Sequence, residues 1–288
     1  PYSAAMLSSV WSFDLERSEI LCRAGEAIGL VIERKGHYRL TRKGAVLIGL
    51  PGVTALIEHH KILYQDLLNP VGFFKGVEET QLSKFWPYVF GGGMDLKSSE
   101  VEKYSDLMSE SQHLVAADTL AAVNIPSVCR FLDVGGGKGT FVSELKKIHP
   151  KVDAAVFDLP GSHSENSGHR CIIGSFKEDE LPAGYDIISL VRILYDHRDE
   201  TIRDLLGKTY NALDNGGRLI VSEPMLGADR PTLWGDVYFA MYTLAMSTGK
   251  TRSPDQVSGF IKDAGFSNVT IHKSARPFIT TVIEAQKT

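Results

Sequence analysis

The chain has 288 residues, with 31 Lys+Arg against 35 Asp+Glu and a formal net charge of -4. Hydrophobic residues make up 43% and charged residues 23%, ordinary globular usage that rules out a disordered or collagen-like chain. The slight acidity argues against a nucleic-acid partner held by phosphate neutralisation, and no apolar run reaches the roughly 18 residues of a membrane span. The opening lacks the basic and apolar regions of a signal peptide, so the expected location is cytoplasmic. Pro1 stands without an initiator Met, which reads as a fragment of a longer product. Cys22, Cys129 and Cys171 are widely spaced, with no pattern of a disulfide framework or a zinc site.

In chain order, Ser18 to Glu33 reads as an amphipathic helix running into the apolar Leu30-Val31-Ile32. Gly36 marks a turn, and Tyr38 and Leu40 alternate as in a short returning strand. A helix followed by a small hairpin is a winged-helix pattern, here without the basic stripe of a DNA reader. Val53 to Met94 reads as helical and rich in large apolar groups, among them Phe73, Phe74, Phe85, Trp86, Tyr88 and Phe90. Gly91 to Gly93 interrupts it, and a long helix over residues 101–124 carries Tyr104, Met108, Leu114 and Val115 at helical spacing.

From Val128 the period changes. Strands are expected at Cys129–Val134, Asp153–Phe157, Cys171–Ile173, Ile187–Val191 and Arg218–Ser222, with helices at Thr140–Ile148 and Glu200–Leu213. Asn215-Gly216-Gly217 closes the second helix; another follows at Pro254–Ala264, then strands at Val269–His272 and Phe278–Glu284. Strands alternating with helices predict an α/β, doubly wound parallel sheet, with a domain boundary near residue 100. Leu159 to Arg170 has no helical period and is short for a parallel crossover, which suggests that residues are missing there.

The strongest local signal is Leu132-Asp133-Val134-Gly135-Gly136-Gly137-Lys138-Gly139, between a strand and a helix. A P-loop needs Ser or Thr after Gly-Lys, and Gly139 follows Lys138. A dinucleotide fingerprint needs a third glycine where Val142 stands. The remaining reading is a nucleoside-binding loop whose glycines admit a ribose and an amino-acid tail. Asp158, at the end of the next strand, is placed to accept both ribose hydroxyls. After the fourth strand, Arg192 to Glu200 includes His197; it reads either as a general base or as a solvated residue beside a helix cap.

With these motifs in order, the sequence resembles the S-adenosylmethionine-dependent small-molecule O-methyltransferases of the caffeate and polyketide type. The resemblance runs through the glycine loop, Phe157-Asp158-Leu159-Pro160, Gly174-Ser175-Phe176, Leu194-Tyr195-Asp196, Leu213 to Pro224 and Ala264-Gly265-Phe266. Glu58-His59-His60, Phe85-Trp86-Pro87-Tyr88, Tyr104 to Met108, Ser189 to His197, Asp236 to Tyr242 and Arg276-Pro277-Phe278 are similar to the bacterial demethylspheroidene branch, which methylates a carotenoid.

The resemblance implies a Rossmann-like methyltransferase domain over residues 101–288, preceded over 1–100 by a helical, winged-helix-like dimerisation domain, hence a homodimer. It implies S-adenosyl-L-methionine as cofactor and no metal. Asp133, Gly135 and Gly137 would border the methionine end, Asp158 and Leu159 the ribose, and Ser175, Phe176 and Arg192 the adenine. Ser175 stands where the family usually has Asp. The family's His base is replaced by Tyr195 and an acidic partner by Thr251, while Glu223 matches a family acid. A tyrosine, with a reference pKa near ~10, is a poor base, so His197 and Tyr195 are together expected to serve catalysis, with Glu223. Phe85, Trp86, Tyr104, Met108, Tyr238, Met241, Tyr242 and Met246 read as ordinary core or as the wall of an apolar tunnel. The implied acceptor is a 1-hydroxy acyclic carotenoid, met by a peripheral contact at the inner membrane. A phenolic, polyketide or thiol acceptor, or a non-catalytic cofactor-binding protein on the same fold, stays open.

Overall fold

A computed structural model describes residues 1–49, 53–77, 79–85, 111–160 and 168–288. The chain divides into two compact units, Pro1–His59 and His60–Thr288.

In the first unit, α1 (Ala4–Trp11) and α2 (Leu15–Ala27) precede a hairpin of β1 (Val31–Arg34) and β2 (His37–Leu40), then α3 (Arg42–Gly49). The helix expected from Ser18 starts earlier because the Asp14 carboxylate accepts the Arg17 N–H at 2.8 Å, an N-cap. It stops at Ala27, and Val31 and Ile32 belong to the strand. Lys35 and Gly36 both have positive φ, 53° and 79°, the two-residue turn that matches strand twist.

α4 (Val53–Asp66) spans the boundary between the units and is followed in the second by α5 (Pro70–Lys75) and α6 (Gln81–Phe85), so the described part of the expected helical stretch is three shorter pieces. A helix over 111–122, α7, is the described part of the one expected over 101–124. Then follow β3 (Arg130–Val134), α8 (Thr140–Ile148), β4 (Asp153–Asp158), β5 (Arg170–Ile173), β6 (Tyr185–Val191), α9 (Asp199–Ala212) and β7 (Leu213–Glu223). A π-helix at Leu233–Phe239, α10 (Ala240–Met246), α11 (Pro254–Asp263), β8 (Ser267–His272) and β9 (Thr281–Gln286) complete the chain.

The seven strands run in the order β5-β4-β3-β6-β7-β9-β8. Five are parallel, but β9 pairs antiparallel with both β7 and β8, so the sheet is mixed and not wholly parallel as expected. Two expectations shift with this. Asn215-Gly216-Gly217 does not end a helix but lies inside β7, and Phe278 precedes β9 in place of opening it. The β4–β5 pairing is parallel despite the short connection, whose residues 161–167 lie outside the described ones.

Alternation along the strands sorts the core onto two faces. Leu132 and Val134 of β3 pack with Ile188, Leu190 and residues of α9 and α11. Phe131 joins Val156, Ile187 and the α8 residues Phe141, Val142 and Leu145 on the other face. The chain leaves β3 for β4 and β5 on one side and returns to β6 on the other. That reversal opens a crevice beyond the strand ends, where ligands sit in such sheets.

The segment after β6 is held by Arg252, 3% exposed. Its guanidinium donates to the carbonyls of Leu194 (3.2 Å), His197 (2.9 Å) and Lys250 (2.8 Å) and pairs with Asp199 at 2.6 Å. Arg252 in turn holds the Asp199 carboxyl below the usual range. Arg252→Met should lower unfolding free energy at pH 7 by about 3 kcal/mol in urea titrations, because buried acceptors lose their donor. The depressed Asp199 carboxyl contributes stability above its unfolded value and loses it as pH falls, so the deficit should shrink below about pH 4.

Candidate active site

The glycine loop closes the C-terminal end of β3. Gly135 donates to the Phe157 carbonyl at 2.7 Å, with φ of 70°. That positive φ favours glycine, and a Cβ there would meet the tip of the Ile193 side chain at 2.3 Å, so the loop lies close to the segment after β6. Gly137, φ 55°, has open space where its Cβ would be. Its N–H points at Asp158 Oδ2, 2.6 Å away, while the other Asp158 oxygen accepts from Leu159 N at 2.6 Å.

Asp133 lies beneath this loop, 1% exposed. Its Oδ1 accepts the Ser189 hydroxyl at 2.6 Å, while Oδ2 is buried with no partner. Burial pushes its carboxyl up to about 7, against the Ser189 hydrogen bond, and the Asp158 charge adds to the rise. A buried carboxyl oxygen without a donor, beneath a loop in which Gly137 has open space, suits a ligand that brings a positive charge or donors.

Across the crevice, Ser175 begins a turn: its carbonyl accepts from Asp179 N at 2.7 Å, and its N–H donates to the Asp179 carboxylate at 2.8 Å. Phe176, fixed by Lys208 donating to its carbonyl, presents its ring edge-on to His197 with centroids 5.3 Å apart. Burial, with the charges of Lys177 and Arg252, pulls the His197 imidazole down to about 4, so it is neutral at pH 7. His197 therefore belongs with Phe176.

Tyr195 has different neighbours. It is 5% exposed, edge-on to Phe239 at 6.4 Å and hydrogen-bonded by Arg192. Burial raises its phenol further above the ordinary tyrosine range. Arg192 has φ of 61°, an uncommon conformation for a bulky residue. Its N–H donates to Ser222 O at 2.9 Å, and its guanidinium reaches Ser111 and Gln112 of α7 at 2.8 and 3.3 Å. Asp196 is buried, with Oδ1 unpartnered, and its carboxyl is held well above the normal range by burial and by Glu223.

Glu223 ends β7, 2% exposed. Its carboxylate accepts the N–H groups of Ile193 (2.9 Å), Leu194 (2.6 Å) and Tyr195 (2.8 Å). Burial raises it to about 7, opposed by these three donors. Both oxygens thus serve the turn that carries Tyr195. Thr251, at the place of a family acid, is buried against the Thr243 hydroxyl at 3.1 Å.

Of the apolar residues singled out, Tyr242 and Met246 pack with Leu63, Phe73, Leu82 and Ala245 in a third core cluster, and Met241 is half-buried. Trp86, Tyr104 and Met108 lie outside the described residues. Tyr238, read with these residues as core or tunnel wall, hydrogen-bonds His60 from the π-helix; the two lie 178 positions apart, so no local spacing pairs them. Among the described residues there is no group of three metal-ligating side chains, and no helix is long and apolar enough to cross a membrane.

Comparison with known proteins accords with this geometry. Demethylspheroidene O-methyltransferase of Rhodobacter capsulatus is 44% identical, over 94% of this chain and 70% of that protein. The protein of the same name from Cereibacter sphaeroides is 40% identical, over 99% of this chain and 78% of its own length. A methyltransferase of calicheamicin biosynthesis, crystallised in its SAH-bound form, superposes with a TM-score of 0.82 at 19% identity, covering 100% of this chain and 88% of that one. The O-methyltransferase domain family matches residues 64–267, and the chain belongs to that family.

Proposed function

We propose that this chain transfers the methyl group of S-adenosylmethionine to the hydroxyl of a 1-hydroxy acyclic carotenoid of the demethylspheroidene type. The observation that carries this reading is the 44% and 40% identity to two proteins of that name over nearly the whole chain. When bound, S-adenosylmethionine supplies an electrophilic methyl on a sulfonium. Asp133 and the glycines 135 and 137 would take its methionine end, Asp158 and Leu159 the ribose, and Ser175 and Phe176 the adenine. The unpartnered Asp133 oxygen and the open space over Gly137 fit that ligand.

His197, neutral and edge-on to Phe176, supports the adenine side. Arg192 and Tyr195 form the transfer end, where a wall of Phe239 and Met241 would receive the polyene, Tyr242 and Met246 lying in the buried core cluster. Such a wall excludes water and favours a step in which the sulfonium loses its charge. Trp86, Tyr104 and Met108, outside the described residues, are proposed as acceptor-binding on the family resemblance alone. Glu223 is a positioning residue, acting through the backbone it holds.

Residues 1–100 are proposed as the winged-helix-like dimerisation part of a homodimer and 101–288 as the catalytic domain. Exposed Met6, Val10, Phe13, Leu15, Ile20 and Leu21 support a partner surface in the first unit. A peripheral membrane contact is consistent with so apolar an acceptor.

Three outcomes check this reading. With labelled cofactor in detergent micelles, label should enter a 1-hydroxy acyclic carotenoid and not a panel of phenols and thiols; label in a phenol or thiol alone overturns the acceptor. Glu223→Gln should lower kcat by about 10- to 100-fold, as the turn under Tyr195 loosens, with cofactor affinity nearly unchanged. The raised Asp133 carboxyl should lose its proton when a cationic cofactor arrives. Calorimetry at pH 6.5 in two buffers should then show proton release, with affinity rising with pH up to the value near 7. Asp133→Asn should abolish both effects.

A further inference from the structure

The transfer end lacks a competent base among the residues already placed there. Tyr195 is driven further from ionisation by burial, and His197 faces Phe176. A second tyrosine enters the same region. Tyr238, on the π-helix, packs against Phe239 with centroids 4.7 Å apart, and Phe239 is the ring that meets Tyr195. The Arg192 charge acts on both phenols, lowering each against the effect of burial. Behind Tyr238, its hydroxyl and Nε2 of His60 on α4 share a hydrogen bond, with ring centroids 5.1 Å apart.

Backbone packing fixes the pair. Thr232 Oγ1 accepts Gly235 N at 3.1 Å to start the π-helix. Asp236 Oδ2 accepts from Gly227 N at 2.8 Å and Thr232 N at 2.7 Å. A Cβ at Gly235 would come within 2.2 Å of Met225 O, so the element sits close to the chain leaving β7. Short π-helical segments are frequent at functional sites.

Resting on the methyl-transfer reading, we propose that Tyr238 and His60 form the proton relay for the acceptor hydroxyl. Tyr238 is the catalytic residue that meets the acceptor, and His60 is the positioning residue behind it. The acceptor oxygen gives a lone pair to the new O–CH3 bond, while the S–CH3 bond breaks and its electron pair stays on sulfur. The acceptor's proton passes to the Tyr238 oxygen as the Tyr238 proton passes to Nε2 of His60. Tyr238 ends neutral, so its high resistance to ionisation is no obstacle. An imidazole is the side chain that takes up a proton near neutral pH. The groups facing this pair are Tyr64 on the same helix, Arg192 from the end of β6 and Tyr242 from α10.

The test measures labelled methyl transfer to a 1-hydroxy acyclic carotenoid in micelles, at saturating cofactor, from pH 5 to 9. Cofactor affinity and thermal unfolding are measured on the same preparations. His60→Gln and Tyr238→Phe should each lower kcat by about 100-fold, with cofactor affinity and melting unchanged. The double variant should be no slower than the worse single one, as for residues acting as a unit. The acid limb of the wild-type kcat profile should vanish in His60→Gln. Undiminished transfer by either single variant, or an acid limb that survives in His60→Gln, would overturn the relay and leave the methyl-transfer reading standing. A wild-type chain that binds the cofactor and methylates no carotenoid would overturn both.

Discussion

One short segment, residues 193–199, is gripped from both of its polarities. The Glu223 carboxylate takes three consecutive N–H groups, and the Arg252 guanidinium takes the carbonyls of Leu194 and His197 and pairs with Asp199. Lys250 N adds a hydrogen bond to Tyr195 O at 2.8 Å, and Gly249 lies so close that a Cβ would approach that carbonyl within 2.3 Å. A loop at the end of a parallel strand has few ladder partners, so its polar groups must be satisfied by something else. Here two buried charges of opposite sign do it. Tyr195, Asp196 and His197 stand where they do because this grip leaves the segment no alternative path.

The other half of the site depends on carboxyls that are expensive to bury. Asp133 keeps one oxygen on Ser189 and holds the other without a donor; Asp158 spends both of its oxygens on backbone N–H groups of the loop and its own strand end. The pair repel each other across the glycine loop, which contributes to the raised Asp133 carboxyl. A cationic ligand with donors offsets that repulsion. The loop glycines allow the approach, and Ile193 packed against Gly135 ties this half to the gripped segment.

Much of this was legible in the sequence because burial on both faces writes itself as continuous apolar runs. The strand at Arg130–Val134, the helix at Thr140–Ile148 and the acid ending β4 were all visible that way. The antiparallel insertion of β9 was not, since a strand's pattern does not state its direction. Nor was the work of Glu223: its partners are main-chain N–H groups some 30 residues earlier, identical in every residue type. The acid itself was found by resemblance, which does not distinguish a carboxylate facing a reactant from one facing the backbone. His60 and Tyr238 sit 178 positions apart, so only the folded chain brings them together.

The π-helix has an evolutionary consequence. Its backbone bonds skip five residues, as when Ala240 N donates to Gly235 O, so it carries more residue per turn than an α-helix. Removal of one codon within Leu233–Phe239 would let the segment relax into an α-helix continuous with α10. Each residue ahead of the lost one would turn by roughly 100° about the axis. The Tyr238 and Phe239 rings would leave their present partners His60 and Tyr195 in a single mutational event, with the α/β scaffold left untouched. A frame-preserving deletion would thus reset in one step a set of side-chain directions that point substitution leaves where they are.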